Sequence, residues 1–174
     1  YVAGLGVIVV ALALQDTHWL IVAPAGVLAA ALFGGFWGFV PGWLQAKRGS
    51  HVVITTIMFN FIASALMIYV LNRVLKPAGV SGPESAMIAE TGRMPKLGQF
   101  FPPFNYTPVN LTIILAILAL VGVYILIWHT RFGYALRVMG QNPTAARYAG
   151  ISNSRMIMLA MTLSGALAGM VAVN

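Results

Sequence analysis

Long apolar stretches, each closed by a short polar or basic interruption, set the rhythm of this chain. They cover roughly residues 1–14, 18–45, 52–71, 109–129 and 156–174. Each is continuous rather than alternating, so helices are expected and a barrel is not. Their lengths approach or exceed the roughly 20 residues that cross about 30 Å of hydrocarbon. The pattern predicts an all-α, polytopic transmembrane helical bundle of four principal spans and one truncated one, forming a single domain over residues 1–174. The first residues, Tyr1-Val2-Ala3-Gly4, are already apolar and lack a basic segment, which argues against a signal peptide. The last, Gly169 to Asn174, stop inside an apolar run. Both ends therefore read as cut, and the chain as the middle of a longer one.

Composition agrees: 60% of residues are hydrophobic and 7% charged, against about a quarter charged in soluble domains. The net charge of +7 would suggest nucleic acid in a soluble protein. Here the basic residues cluster in short loops, so topology and anionic headgroups explain them and no nucleic-acid partner is expected. The absence of cysteine excludes disulfides and thiolate metal sites.

Alternation of the spans puts Lys47, Arg48, Arg131, Arg137, Arg147 and Arg155 on one side with no acid. Arg73, Lys76, Arg93 and Lys96 share the other with Asp16, Glu84 and Glu90. The first side is expected to be cytoplasmic and the Pro- and Gly-rich segment 72–108 to be an external loop. In that loop the run Phe100-Phe101-Pro102-Pro103-Phe104-Asn105-Tyr106 can lie in the outer headgroups or meet a partner protein.

The second span carries Gly26, Ala30, Gly34, Gly38 and Gly42 at four-residue spacing, and the fifth carries Gly165 and Gly169. Small residues four apart share one helix face and let backbones approach. The stripe suits static packing, or surfaces that slide during a transport cycle. Pro41 is expected to kink or end the second helix near Val40.

The segment 131–155 joins the fourth and fifth spans on the basic side. Asn142 is a good N-cap, Pro143 suits the first helical position, and Gly150 offers a C-terminal stop. A helix of about two turns follows, with Ala145, Ala146 and Ala149 keeping it slim and Arg147 and Tyr148 exposed. Tethered to a span at both ends, it can pass on a push delivered from the aqueous side. Alternatively it rests in the headgroups, anchored by Arg137, Arg147 and Arg155. Marginal on its own in water, it needs lipid or protein to hold it.

Within the spans, polar residues are few. Thr56, Asn60 and Ser64 recur every fourth residue on the third span, with Thr55 beside them, and Thr162 and Ser164 lie on the fifth. They suit interhelical hydrogen bonds, or a polar stripe along which a hydroxylated solute passes. Trp37 and Trp43 can stack on a sugar or base, or anchor the span at the interface. The three histidines, His18, His51 and His129, lie far apart at span ends, and no catalytic or metal site is expected. No GxxxxGK[ST] pattern occurs, so ATP is not expected to bind this chain. The three carboxylates fall outside the spans, which disfavours a proton- or sodium-coupled carrier.

The stretch GYALRVMGQNPTAARYAGI, followed by LSGALAG, resembles the permease subunits of bacterial ABC importers for simple sugars and nucleosides, in the branched-chain amino acid and ribose permease superfamily. GSHVVITTIMFNFIASALMIYVLN is similar to a second hallmark of the nucleoside-type branch. Family members often carry Glu-Val where this chain has His51-Val52, and Leu-Asn where it has Phe59-Asn60. The resemblance implies a multi-pass, non-enzymatic pathway subunit in the bacterial inner membrane, moving a nucleoside or simple sugar. It implies that residues 142–150 form or adjoin a cytoplasmic coupling helix, with Asn142, Pro143, Ala145, Ala146, Arg147 and Gly150 as the coupling residues. Implied partners are an ATP-binding cassette subunit that holds ATP and Mg, a second permease in a homo- or heterodimer, and an extracytoplasmic substrate-binding protein. Thr56, Asn60, Ser64 and Trp37 are the candidate pathway residues. The alternative is a secondary carrier or channel for a small polar solute, working without ATP.

Overall fold

The computed structural model describes residues 1–14, 18–75, 110 and 112–173. The external segment expected at 72–108 lies almost wholly outside them, as do Asp16, Glu84 and Glu90. Among the described residues the chain forms seven α-helices and no strand. They are α1 (Val2–Ala13), α2 (Trp19–Arg48), α3 (Val52–Arg73), α4 (Thr112–His129), α5 (Arg131–Gln141), α6 (Pro143–Tyr148) and α7 (Asn153–Met170), with a 3₁₀ turn at Val171–Val173. Four of these, α2, α3, α4 and α7, are long and apolar enough to cross a membrane. The 12 residues of α1 reach only about 18 Å at 1.5 Å per residue, so α1 does not match a full span.

Pro41 does not end its helix: α2 continues to Arg48, where Gly49 closes it at φ 66°. A proline removes one backbone donor, a loss that packing against a neighbouring helix can outweigh. Pro41 is buried, and the next residue, Gly42, sits against Met161 of α7. Lys47 and Arg48 occupy the last turn of α2, where cations complement the helix dipole.

The small-residue stripes find each other. A Cβ built on Gly38 would lie 2.6 Å from the carbonyl oxygen of Met161 and 3.1 Å from Gly165 Cα. One on Gly169 would strike the Ala30 carbonyl and lie 3.1 Å from Ala3 of α1. Ala30 is fully buried in this crossing. The Gly26 end of the stripe departs from the rest and points to α1, with Val7 4.0 Å away. The Ser154 hydroxyl donates to the Ala46 carbonyl at 3.1 Å, tying the start of α7 to the end of α2. Thus α1, α2 and α7 form the packed centre. In contrast, among the described residues α3 buries only Ala63 and α4 buries none, so both leave most of their apolar surface unpacked by the rest of this chain.

Candidate functional site

The junction between α4 and α5 is a tight elbow at Thr130. Its hydroxyl donates to the Leu126 carbonyl at 2.5 Å and accepts from the Gly133 amide at 3.1 Å, so one side chain ends α4 and caps α5. Gly133 is buried where α5 folds over the end of α4, and a Cβ there would strike the carbonyls of Leu126 and Ile127. Across the same corner the Arg137 guanidinium lies 4.5 Å from the centre of the Trp128 ring, a cation–π brace. Sequence reading missed α5 as a separate helix. Its signal was available: Phe132 and Leu136 are four apart on one face, and Arg131, Tyr134 and Gln141 recur on the opposite one.

The short helix expected after Asn142 is α6, with the caps the sequence indicated. The Asn142 side-chain oxygen accepts from the amides of Thr144 and Ala145, each at 3.0 Å. Pro143 follows at the first helical position, where no amide partner is needed. At the other end Ala149 is the C-cap and Gly150 adopts φ 77°. The Gly150 amide donates to Arg147 O at 3.0 Å and the Ile151 amide to Ala146 O at 2.9 Å. Those two bonds make a complete Schellman closure, with Ile151 half-buried beside Ala146. Both ends of a six-residue helix are therefore held by chemistry rather than left to fray.

Burial divides the six coupling candidates. Ala146 is 1% exposed and faces the bundle, whereas Asn142, Pro143, Ala145, Arg147 and Gly150 are exposed. Tyr148, at 90% exposed, stands clear of every neighbour. The helix thus touches α5 and α7 through one alanine edge and shows the rest of its surface outward. It sits at the end of the bundle where α2 and α4 finish and α7 begins. Lys47, Arg48, Arg131, Arg137, Arg147 and Arg155 gather at that end, and no acid lies among the described residues there or elsewhere.

The pathway candidates divide differently. Trp37 of α2, Thr56 and Asn60 of α3, and Ser164 of α7 line one cavity of about 440 Å³ among these helices. Trp37 meets Phe59 edge to face at 5.3 Å between ring centres. The Thr56 hydroxyl is turned back to the carbonyls of Val52 and Val53, at 2.9 and 3.0 Å, so it presents a lone pair to the cavity rather than its proton. Asn60 is exposed, with an amide that both donates and accepts.

Ser64 does not join them. Eight residues past Thr56 it has turned by about 80° at 100° per residue, enough to leave the wall. Trp43 is exposed and also lies off this cavity. Ser164 is a polar residue of the fifth span that linear spacing does not pair with α3. His18, His51 and His129 stand at helix ends, the first two at the N-cap positions of α2 and α3.

The sequence pattern of the branched-chain amino acid transport system / permease component family matches residues 1–174. A guanosine ABC transporter permease of Bacillus subtilis is 36% identical over 152 residues, covering 84% of this chain and 41% of that protein. A nucleoside ABC transporter permease of Lactococcus lactis is 33% identical over 169 residues, 92% of this chain and 44% of its own. A glucose ABC transporter permease of Haloferax volcanii is 30% identical over 151 residues, 84% of this chain and 40% of its own. The chain spans about two-fifths of the length of these curated relatives. No solved structure matches it significantly. With membrane-length helices, two glycine-lined helices in contact and a family match along its whole length, this chain belongs to the branched-chain amino acid transport system / permease component family.

Proposed function

We propose that the chain is part of the transmembrane pathway subunit of an ABC importer in the plasma membrane, moving a nucleoside or simple sugar. The observation that carries this reading is α6: a helix capped at both ends, buried along one alanine edge and exposed elsewhere, joined through α5 to the membrane-length α4 before it and to the membrane-length α7 after it. In the reading, α6 seats in a groove of a separate ATP-binding subunit, which holds ATP and Mg. Asn142 and Pro143 start the helix, Gly150 ends it, and Ala145 and Arg147 meet the groove. Ala146 passes the displacement to α5 and α7.

The solute class is supported by the printed activities of the relatives and by the cavity chemistry. An aromatic plane (Trp37), an amide (Asn60) and a hydroxyl lone pair (Thr56) suit a hydroxylated ring compound. A second permease subunit would complete the pathway, and a substrate-binding protein would deliver the solute from outside. Reconstituted uptake tests the whole reading. With the ATP-binding subunit present, accumulation should require hydrolysable ATP and survive collapse of ion gradients. Accumulation that needs the gradient and ignores ATP would contradict it.

A further inference from the structure

The outward face of α6 has an apex that the six coupling candidates leave out. Thr144 and Tyr148 lie one turn apart, and at about 100° per residue each stands about 160° around the helix from Ala146, its one buried position. Ala145 and Arg147, about 100° to either side of Ala146, are the flanks of that face. Tyr148 is the bulkiest apolar side chain of the helix and is 90% exposed. The backbone beneath it is fixed, since the Ala149 amide donates to Ala145 O at 3.1 Å and Gly150 and Ile151 close the helix behind it. A ring on such a frame gives up only its own two rotatable bonds when it binds.

Two kinds of cover suit a ring displayed this way, a bilayer surface and a protein pocket. A helix that lies in the headgroups needs a broad apolar face. The other exposed side chains of α6 are Pro143, Thr144, Ala145 and Arg147, which do not make one. A single large ring among small and polar neighbours suits a pocket: the ring supplies the buried area and the neighbours keep water from its rim.

We infer that Tyr148 is the anchor of the α6 interface. Its ring enters an apolar pocket in the groove of the ATP-binding subunit, with Thr144 beside it and Ala145 and Arg147 at the rim. The inference rests on the docking of α6 proposed above and adds the residue that holds it there. Grip and transmission then fall on opposite faces of one short helix, Tyr148 outward and Ala146 inward.

Two measurements on the full-length permease in nanodiscs test the anchor separately from docking. Alone, Tyr148→Cys should react with a hydrophilic maleimide as fast as an exposed thiol, and saturating ATP-binding subunit should protect both it and Ala145→Cys. Tyr148→Ala should weaken binding of that subunit by about thirtyfold or more, as a hot spot does. Because the ring is exposed in the permease, its removal should leave the fold intact. Tyr148→Phe keeps the ring and should lose no more than about tenfold, the worth of one hydrogen bond. A smaller loss in Tyr148→Ala, with Ala145→Cys still protected, overturns the anchor and leaves docking standing. So does a phenylalanine variant as weak as the alanine one. A Tyr148→Cys thiol already shielded in the permease alone, by bilayer or by the rest of its own chain, also overturns the anchor. Protection of neither cysteine overturns the anchor and the docking together.

Discussion

Gly34 and Gly165 meet backbone to backbone: a Cβ added to either would strike the carbonyl oxygen of the other. Neither contact can be relieved by a side chain swinging away, because both obstacles are main-chain atoms. The α2–α7 crossing is therefore set by the absence of two side chains. Gly34→Ala should separate the helices at a cost of about 1–3 kcal/mol, the range of overpacked cores. A lowered melting temperature in detergent checks this. Gly122→Ala in α4 is the control, since its Cβ meets nothing within 4 Å; it should be neutral or stabilise by up to about 1 kcal/mol.

The caps of α6 are separable from its surface. Asn142→Ala removes an acceptor shared by two amides and should destabilise the helix by about 1 kcal/mol. Gly150→Val places a β-branched residue at φ 77°, at a cost of about 1–2 kcal/mol or more. Both variants should insert in the membrane normally yet stimulate the partner ATPase less, with the valine variant the worse. Wild-type transport by Gly150→Val would show that α6 does not need its C-terminal stop.

The elbow gives a sharper test of transmission. Gly133→Ala should force α5 away from the end of α4, since its methyl group meets the carbonyls of Leu126 and Ile127. Transport should fall far more than in Gly140→Ala, a residue of the same helix whose Cβ meets nothing within 4 Å. Spin-label distances between α4 and α5 should lengthen only in the first variant.

In the cavity, Asn60→Leu and Trp37→Ala should slow uptake while leaving solute binding to the extracytoplasmic receptor unchanged. Ser64→Ala should have little effect, because Ser64 does not line the wall, whereas Ser164→Val should resemble Asn60→Leu. Initial uptake rates across the four variants check that order.

Much of this architecture was legible in the sequence because its determinants are local. Asn142, Pro143 and Gly150 each act within a few residues, so both ends of α6 could be placed from cap chemistry alone. The glycine stripes of α2 and α7 were equally visible, but spacing within one helix does not name its partner, and the Gly26 end turned to α1 instead. Of the kink or stop expected at Pro41, the stop did not occur: α2 runs on to Arg48, since one lost hydrogen bond is weak against packing along α7. The polar wall was half legible: Thr56 and Asn60 lie one turn apart and stay together, while helical drift carries Ser64 away. Ser164 joins them only through the tertiary crossing. The separate helix α5 was obscured because its apolar face continues the hydrophobic run of α4, with only Thr130 and Arg131 between them.

The most direct measurement is disulfide crosslinking from single cysteines placed along 142–150 to cysteines in the groove of the co-expressed ATP-binding subunit. The account predicts strong crosslinks from Ala145 and Arg147, and none from Ala146, whose side chain faces the bundle. Assembled complexes that crosslink at no position, or most strongly from Ala146, would contradict it.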